Sequence, residues 1–409
     1  MSSVPFFGVV IVGGGQAGLE AAAGLRTQGY EGTVTLICEE PHAPYQRPPL
    51  SKDFLTGKQE VDRVFLRNLA YYEKQRIDLL LDERVTEINA GAKMVHLAGG
   101  GTVPYAHLIL AVGARNRALP APGAENVLYL RSLDEAVTLK QRLAEARHGV
   151  VVIGGGFIGL EVAAAARMAG KPVTVMEAAP RLMARAVSPV LSKFFLELHR
   201  AQGTEVLLNT VAVEVRPDAV ILPGGRRIAA DLVVAGIGVI PNVELARAAG
   251  LEVNDGIMVD EYLRTVDPAI FAIGDCAEHP NVFAGGRARL ESVQNAADQA
   301  RCVARFITGQ PEPYRDVPWF WTDQFEIRFQ MAGLSTAHDQ SVLRGGIERG
   351  KFSAFYFKQG RLLAVDSVNR VGDHVTARKM LAAGTPLTPE QAADETVDLK
   401  QLAAAQRAG

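Results

Sequence analysis

One phrase occurs twice in this chain. Val9-Val10-Ile11-Val12-Gly13-Gly14-Gly15-Gln16-Ala17-Gly18 returns as Val150-Val151-Val152-Ile153-Gly154-Gly155-Gly156-Phe157-Ile158-Gly159. Each copy opens with β-branched apolar residues, the pattern of a buried strand, and breaks into glycines. Helical segments follow, Ala17 to Gln28 and Ile158 to Ala169, and then second short strands, Thr33 to Cys38 and Val173 to Met176. Strand, turn, helix and strand in that order make a βαβ unit, which belongs in a parallel sheet with helices on its faces. A weaker echo, His107 to Ala114 against Asp231 to Gly238, extends the duplication to whole domains.

The glycines carry chemistry as well as shape. In G-x-G-x-x-G the first glycine permits a tight turn and the second lets backbone approach a pyrophosphate. The third lets the helix pack on the strand. Gly13, Gly15 and Gly18 fit this spacing, as do Gly154, Gly156 and Gly159. The helix N-terminus then presents unpaired N–H groups and a positive dipole end to phosphate. An acid suited to a ribose hydroxyl closes the second strand of each copy, Glu39 and Glu177. A single glycine-rich turn is weak evidence, but two complete units predict two dinucleotides. At the nicotinamide site the Glu177 carboxylate would repel the 2′-phosphate of NADPH, so NADH is the expected donor, although Arg181 lies four residues on.

At 409 residues the chain is long enough for two or three domains. With 43 basic and 45 acidic residues the net charge is −2, which gives no global pull toward nucleic acid or an anionic membrane. The apolar stretch Val4 to Val12 lacks a preceding basic residue and runs into the first glycine cluster, so it reads as a strand rather than a signal segment. No apolar run approaches the roughly 18 to 20 residues that span a bilayer, and a cytoplasmic protein is expected. Cys38, Cys276 and Cys302 are far apart, without metal-ligand spacing among the eight histidines, so neither disulfides nor a metal site is expected. Pro120 to Gly123 and Ala144 to Gly149 read as linker and turn. After Pro241 the stretch Leu263 to Asp275 supplies one more apolar strand, where the chain is expected to return to its first domain. From about Phe320 apolar and polar positions alternate (Ile327, Phe329, Met331; Phe352, Ala354, Tyr356), which predicts a small antiparallel sheet with helices attached.

Four segments add a family resemblance: Pro44-Tyr45-Gln46-Arg47-Pro48-Pro49-Leu50-Ser51-Lys52, Ala272-Ile273-Gly274-Asp275, Glu291-Ser292-Val293-Gln294-Asn295 and Pro318-Trp319-Phe320-Trp321-Thr322-Asp323-Gln324. Together with the two fingerprints, the chain resembles, over nearly its whole length, the two-dinucleotide-domain flavoprotein reductases. Within them it is similar to the NADH-dependent ferredoxin reductases that serve oxygenases. The resemblance implies an α/β fold with two Rossmann-like domains, glutathione-reductase-like, and a C-terminal α+β domain. It places an FAD-binding domain at 1–113 and 244–319, an NAD-binding domain at 114–243 and the C-terminal domain at 320–409.

It further implies that FAD is held by Gly13, Gly15, Gln16, Ala17, Gly18, Glu39, Val85, Ala111, Gly113, Arg131, Val293 and Trp321, with Arg47 at the diphosphate and Lys52 near flavin N5. Asp275 matches the acid that bonds the ribityl chain; otherwise it is a cap or turn acid. The Ser292 segment is expected to begin a helix whose positive end faces the flavin pyrimidine. NADH falls to Gly154, Gly156, Phe157, Ile158, Gly159, Glu177 and Gly238. Glu161 matches an acid on the nicotinamide side that pairs with Lys52 and binds the carboxamide, or else is a helix-start acid favoured by the dipole. Trp319 and Trp321 match an aromatic pair near the flavin edge, or are core residues.

Relatives that use thiols carry a redox cysteine pair near the flavin, or a single cysteine near Tyr45 and Gln46; neither is present, and Cys38 reads as a small core residue. The implied reaction passes hydride from NADH to FAD and then single electrons to an acidic 2Fe-2S ferredoxin, docked transiently by charge on a monomer or weak homodimer. The ferredoxin would feed a haem monooxygenase or a Rieske dioxygenase. Arg301, Arg305, Arg315, Arg344 and Arg349 are candidate docking charges. Rival acceptors are rubredoxin, a quinone or monodehydroascorbate; a slow redox-signalling flavoprotein is the rival outside catalysis.

Overall fold

The computed structural model describes residues 7–405, so Val4 to Phe6 of the N-terminal apolar stretch lie outside the described residues. The chain divides into two compact units. Among the described residues, the first comprises those up to Gln46 together with Phe65–Arg115 and Ile240–Phe320; the second comprises Arg47–Val64, Asn116–Val239 and those from Trp321 onward.

In the first unit five strands lie in the order Ile270–Ala272, His107–Leu110, Val9–Val12, Val34–Ile37, Ile77–Leu80, and every pairing is parallel. Every residue of Val9–Val12 is buried, as expected of a central parallel strand covered on both faces. The Gln16–Thr27 helix packs against Val293–Ile307. They approach closely because Gly24 faces Ala304, where an added Cβ would stand 3.1 Å from the alanine methyl. The strand Ile270–Ala272 pairs with His107–Leu110, so the chain does return to its first sheet.

The second unit repeats the plan. Its parallel sheet runs Val127–Leu128, Leu232–Ala235, Val150–Ile153, Val173–Met176, Glu205–Leu207. One difference separates the copies. The outer strand beyond Leu232–Ala235 comes from upstream of the fingerprint, whereas the first sheet draws its equivalent from far downstream.

The C-terminal part is a five-stranded sheet in the order Trp319–Gln324, Ile327–Gly333, Arg361–Val368, Lys351–Lys358, Gln340–Gly346. The pairings are antiparallel, as the alternation predicts, and Phe352 to Phe357 are all buried. Even positions meet the Pro189–Ala201 helix and its cap: the Phe352 and Phe194 rings lie 5.2 Å apart, and the Tyr356 hydroxyl and Ser188 Oγ are hydrogen-bonded at 2.8 Å. Odd positions, Phe355 and Phe357, pack with Ala377, Met380, Ala392 and Leu399 of the C-terminal helices. The sheet is a filling between two helical layers rather than a surface with one wet face.

Candidate functional site

In each fingerprint the outer glycines are sterically required and the middle one is open. Gly13 has φ 116°, and a Cβ there would stand 2.3 Å from the Ala111 carbonyl oxygen; at Gly18 a Cβ would stand 2.0 Å from the Gly13 oxygen. No atom lies within 4 Å of a Cβ built on Gly15. The second copy matches, with clashes of 2.4 Å at Gly154 and 2.1 Å at Gly159 and the nearest atom 3.9 Å away at Gly156. Neither steric contact nor backbone conformation demands glycine at 15 and 156, where φ is −82° and −83°.

The helix ends are open as well. Gly15 and Gly156 are the N-caps of Gln16–Thr27 and Phe157–Met168, with no side-chain cap and no acid in the first turn. Other helices are closed by Ser132, Ser292 and Thr388 side chains. Two uncapped N-termini beside open glycines suit the pyrophosphates of FAD and NADH. Cys38 packs beneath the first loop, its Sγ 2.4 Å from where a Gly14 Cβ would lie.

The two strand-end acids differ. The Glu39 side chain is 70% exposed, with Arg84 Nε 3.6 Å from its carboxylate. The Glu177 carboxylate is fastened to its own loop: the Gly155 N–H donates to Oε2 and the Ala179 N–H to Oε1, each at 2.7 Å. Arg181 is committed to structure. It donates to the Val187 oxygen at 2.7 Å, Ser192 Oγ at 2.8 Å and the Ala184 oxygen at 2.6 Å. A 2′-phosphate at this ribose would meet a fixed negative charge, and the nearby guanidinium is already occupied.

The second unit brings together Lys52 and Glu161. Pro48 and Pro49 stiffen a 3-10 turn, Pro48–Ser51, that ends at Lys52. Lys52 Nζ lies 2.7 Å from Glu161 Oε2, and Ser51 Oγ donates to the same oxygen. Thr322 Oγ1 donates to Oε1 at 2.5 Å. Glu161 is 2% exposed and sits beyond the first turn of its helix, so the helix-start reading does not describe it. A buried carboxylate requires such partners, since burying an unpaired charge costs several kcal/mol or more. Ser51 and Thr322 stand in two of the family segments, but the sequence alone gives them no role. Their signals were adjacency to Lys52 and, in Trp319–Gln324, the strand alternation that turns Thr322 away from Trp319 and Trp321.

Arg47 Nη1 donates to the Arg131 carbonyl, tying two residues expected at FAD to one another. Val85 and Ala111 are buried, Gly113 has φ 63° and Gly238 has φ 98°. Asp275 lies in a 3-10 turn whose Gly274 N–H donates to Gln299 Oε1 at 2.7 Å. Ser292 caps Val293–Ile307, accepting the Asn295 N–H at 3.1 Å. Gln16 and Ala17 open the first helix and Ile158 and Phe157 the second. Trp319 and Trp321 are half-buried.

The docking arginines need one correction. Arg344 is buried, donating to the carbonyls of Asp394 and, at 2.9 Å, Val397, so it closes the C-terminal helices and offers nothing to a partner. Arg305 pairs with Glu312 at 3.1 Å, while Arg301, Arg315 and Arg349 are on the surface. The three cysteines are buried free thiols, and burial pushes Cys38 and Cys302 up to about 12 and Cys276 up to about 11, which leaves no reactive thiolate. Among the described residues no helix is long and apolar enough to cross a membrane.

Two parallel βαβ sheets, each with an open glycine cradle, define a two-nucleotide oxidoreductase. The model of the pyridine nucleotide-disulphide oxidoreductase family matches residues 7–300 and that of the reductase C-terminal domain 319–403, and the chain belongs to that family. It is 51% identical over 399 residues to rhodocoxin reductase of Rhodococcus erythropolis, covering 96% of this chain and 93% of the relative. Among solved structures it is similar to the ferredoxin reductase for the CYP199A2 system of Rhodopseudomonas palustris, with 47% identity and a TM-score of 0.94 over 97% of this chain and 99% of that one. It is also similar to the covalent putidaredoxin reductase–putidaredoxin complex, with 40% identity and a TM-score of 0.95 over 98% of this chain and 99% of that one.

Proposed function

We propose that this chain is an NADH-dependent ferredoxin reductase that supplies an oxygenase. The observation that carries the reading is the pairing of two open glycine cradles with a buried Lys52–Glu161 pair and no reactive cysteine. Bound FAD would supply the conversion between the two-electron hydride of NADH and a one-electron ferredoxin acceptor. The chain supplies position and charge. The N–H groups behind Gly15 and Gly156 hold pyrophosphate, and Glu177 takes the adenosine ribose of NADH. Glu161 pairs with Lys52 in a setting from which water is largely excluded, and Lys52 is the residue that the resemblance assigns to flavin N5.

FAD is assigned to 1–113 and 244–319 and NADH to 114–243, with 320–409 completing the Glu161 setting through Thr322. The acceptor is taken as a 2Fe-2S ferredoxin that docks transiently in the cytoplasm on arginines such as Arg301, Arg315 and Arg349. The test is stopped-flow reduction of the purified holoprotein by NADH and NADPH, followed by mixing with a 2Fe-2S ferredoxin. Fast NADH-selective reduction and prompt ferredoxin bleaching are expected. Reduced flavin that ignores ferredoxins but empties into rubredoxin, a quinone or dioxygen would overturn the acceptor assignment.

A further inference from the structure

Glu161 ends a line of buried polar side chains drawn from three parts of the second unit. Thr322 Oγ1 lies 2.5 Å from Glu161 Oε1, Gln324 Nε2 lies 3.3 Å from Thr322 Oγ1, and His199 Nε2 lies 2.9 Å from Gln324 Oε1. Thr322, Gln324 and His199 are all buried. Thr322 and Gln324 share one face of Trp319–Gln324, and His199 comes from the last turn of Pro189–Ala201.

Donor chemistry fixes the direction of every bond. A carboxylate only accepts, so the Thr322 hydroxyl donates to Glu161 and its oxygen is left to accept from the Gln324 amide. Gln324 Oε1 then accepts, which requires the hydrogen of His199 on Nε2. Burial pulls the His199 ring below its ordinary value, and its Nδ1 is buried with no hydrogen-bond partner, so a neutral ring protonated at Nε2 satisfies both observations. If the Gln324 amide were flipped, its oxygen would face Thr322 and draw the hydroxyl hydrogen away from Glu161. The flip would require the His199 hydrogen on Nδ1, which is buried with no acceptor.

We propose that Thr322, Gln324 and His199 are positioning residues for hydride transfer, a one-way line of donors that holds Glu161 Oε1 so that Oε2 keeps Lys52 in place. The two carboxylate oxygens divide the work: Oε1 is anchored by Thr322 and Oε2 serves Lys52 and Ser51. Terminal carboxylate torsions are broad, so an unanchored carboxylate swings and carries the ammonium with it. The inference rests on the reading that the Lys52–Glu161 pair serves hydride transfer.

The test uses the FAD-loaded holoenzyme and measures flavin reduction at saturating NADH, with a melting curve for each variant. Thr322→Val removes the hydroxyl at equal volume and should slow reduction about 10-fold, the order expected for one lost hydrogen bond to a charged group. Gln324→Met should slow it about 5-fold and His199→Phe about 3-fold, each removing a more remote hydrogen bond of the line. Thr322→Ser, which restores that donor, should stay within about 2-fold of the parent. Loss of stability should run the other way, largest where the bulkier buried groups at 199 and 324 are replaced, so rate and melting temperature should not track together. In the unmutated protein, ¹⁵N-histidine NMR should show His199 neutral with its hydrogen on Nε2. Full-speed reduction by Thr322→Val, rates that follow melting temperatures, or a hydrogen on Nδ1 would each overturn the proposal. Glu161→Gln, measured alongside, separates the two levels. If it too reduces at the parent rate, the pair has no part in hydride transfer; if it is slow while Thr322→Val is fast, only the positioning line fails.

Discussion

Replacing Gly15 by alanine should weaken FAD binding without weakening the apoprotein. Gly15 has φ −82° and ψ −170°, a conformation alanine adopts freely, and the new methyl meets no protein atom within 4 Å. Reduced freedom of the unfolded chain contributes about 0.4–1 kcal/mol in favour of alanine. Alanine is the poorer N-cap by a similar amount, so the two nearly cancel. The methyl occupies the space through which pyrophosphate reaches the helix N–H groups. Losing one such charge-assisted bond costs about 1.5–3 kcal/mol, or roughly 10- to 100-fold in Kd. Gly18→Ala provides the contrast, because its Cβ would stand 2.0 Å from the Gly13 oxygen and must displace the helix, lowering apoprotein stability as well. Flavin fluorescence during titration of apoprotein measures the first quantity and circular-dichroism melting the second. A Gly15→Ala apoprotein that binds FAD like the parent, or that melts as poorly as Gly18→Ala, would refute the assignment of that open space to pyrophosphate.

Three further outcomes are expected. For Glu177→Gln, a carboxylate and a phosphate about 5 Å apart repel by roughly 3 kcal/mol at an effective dielectric of 20, and salt and partial exposure roughly halve this. NADPH kcat/KM should then rise about 10-fold and NADH kcat/KM fall by a similar factor, a modest change because Arg181 cannot turn to the phosphate; an unchanged ratio in initial-rate assays contradicts the role. Burial raises the Asp366 carboxyl to about 7 despite the Tyr356 hydroxyl donating to it at 2.8 Å. A raised folded value means stability present below the unfolded value of 3.8 and lost as pH climbs through 7. Asp366→Asn should therefore exceed the parent by up to about 4 kcal/mol at pH 8 in denaturant titrations, with the gap closing toward pH 4; a pH-independent gap rules this out. Arg344→Met should cost about 2–4 kcal/mol through the lost carbonyl bonds while leaving the ferredoxin KM and its salt dependence unchanged; a raised KM would restore Arg344 to the docking face.

Both βαβ units were legible because their signals are local. Glycine spacing, β-branched runs and the strand-end acids Glu39 and Glu177 lie within a few tens of residues of one another. The pairing of Lys52 with Glu161 came from family resemblance, since 109 residues separate them and no periodicity joins them. Beyond the strand alternation that sets Thr322 apart from its tryptophan neighbours, the line from Thr322 through Gln324 to His199 gave no sign, because a hydrogen-bond line between distant segments depends on how one strand face meets one helix face. Arg344 misled for the complementary reason: arginine is usually solvated, and only the chain ends that it closes, Asp394 to Val397, account for its burial. The antiparallel sheet containing Lys351–Lys358 was legible from its alternation, but alternation does not reveal that helices cover both of its faces.

The two sheets also differ in when they can close during synthesis. All five strands of the second lie between Val127 and Ala235, so they emerge together. The first must wait for Ile270–Ala272, some 160 residues after the His107–Leu110 strand that it flanks. At about 5–20 residues per second the ribosome takes on the order of 10–30 s to supply it. During that interval His107–Leu110, an apolar strand, stands as an unprotected edge of the kind that invites pairing with another chain. The late arrival of Ile270–Ala272 thus leaves the nascent first sheet with an open edge during synthesis, the kind of surface that chaperones cover.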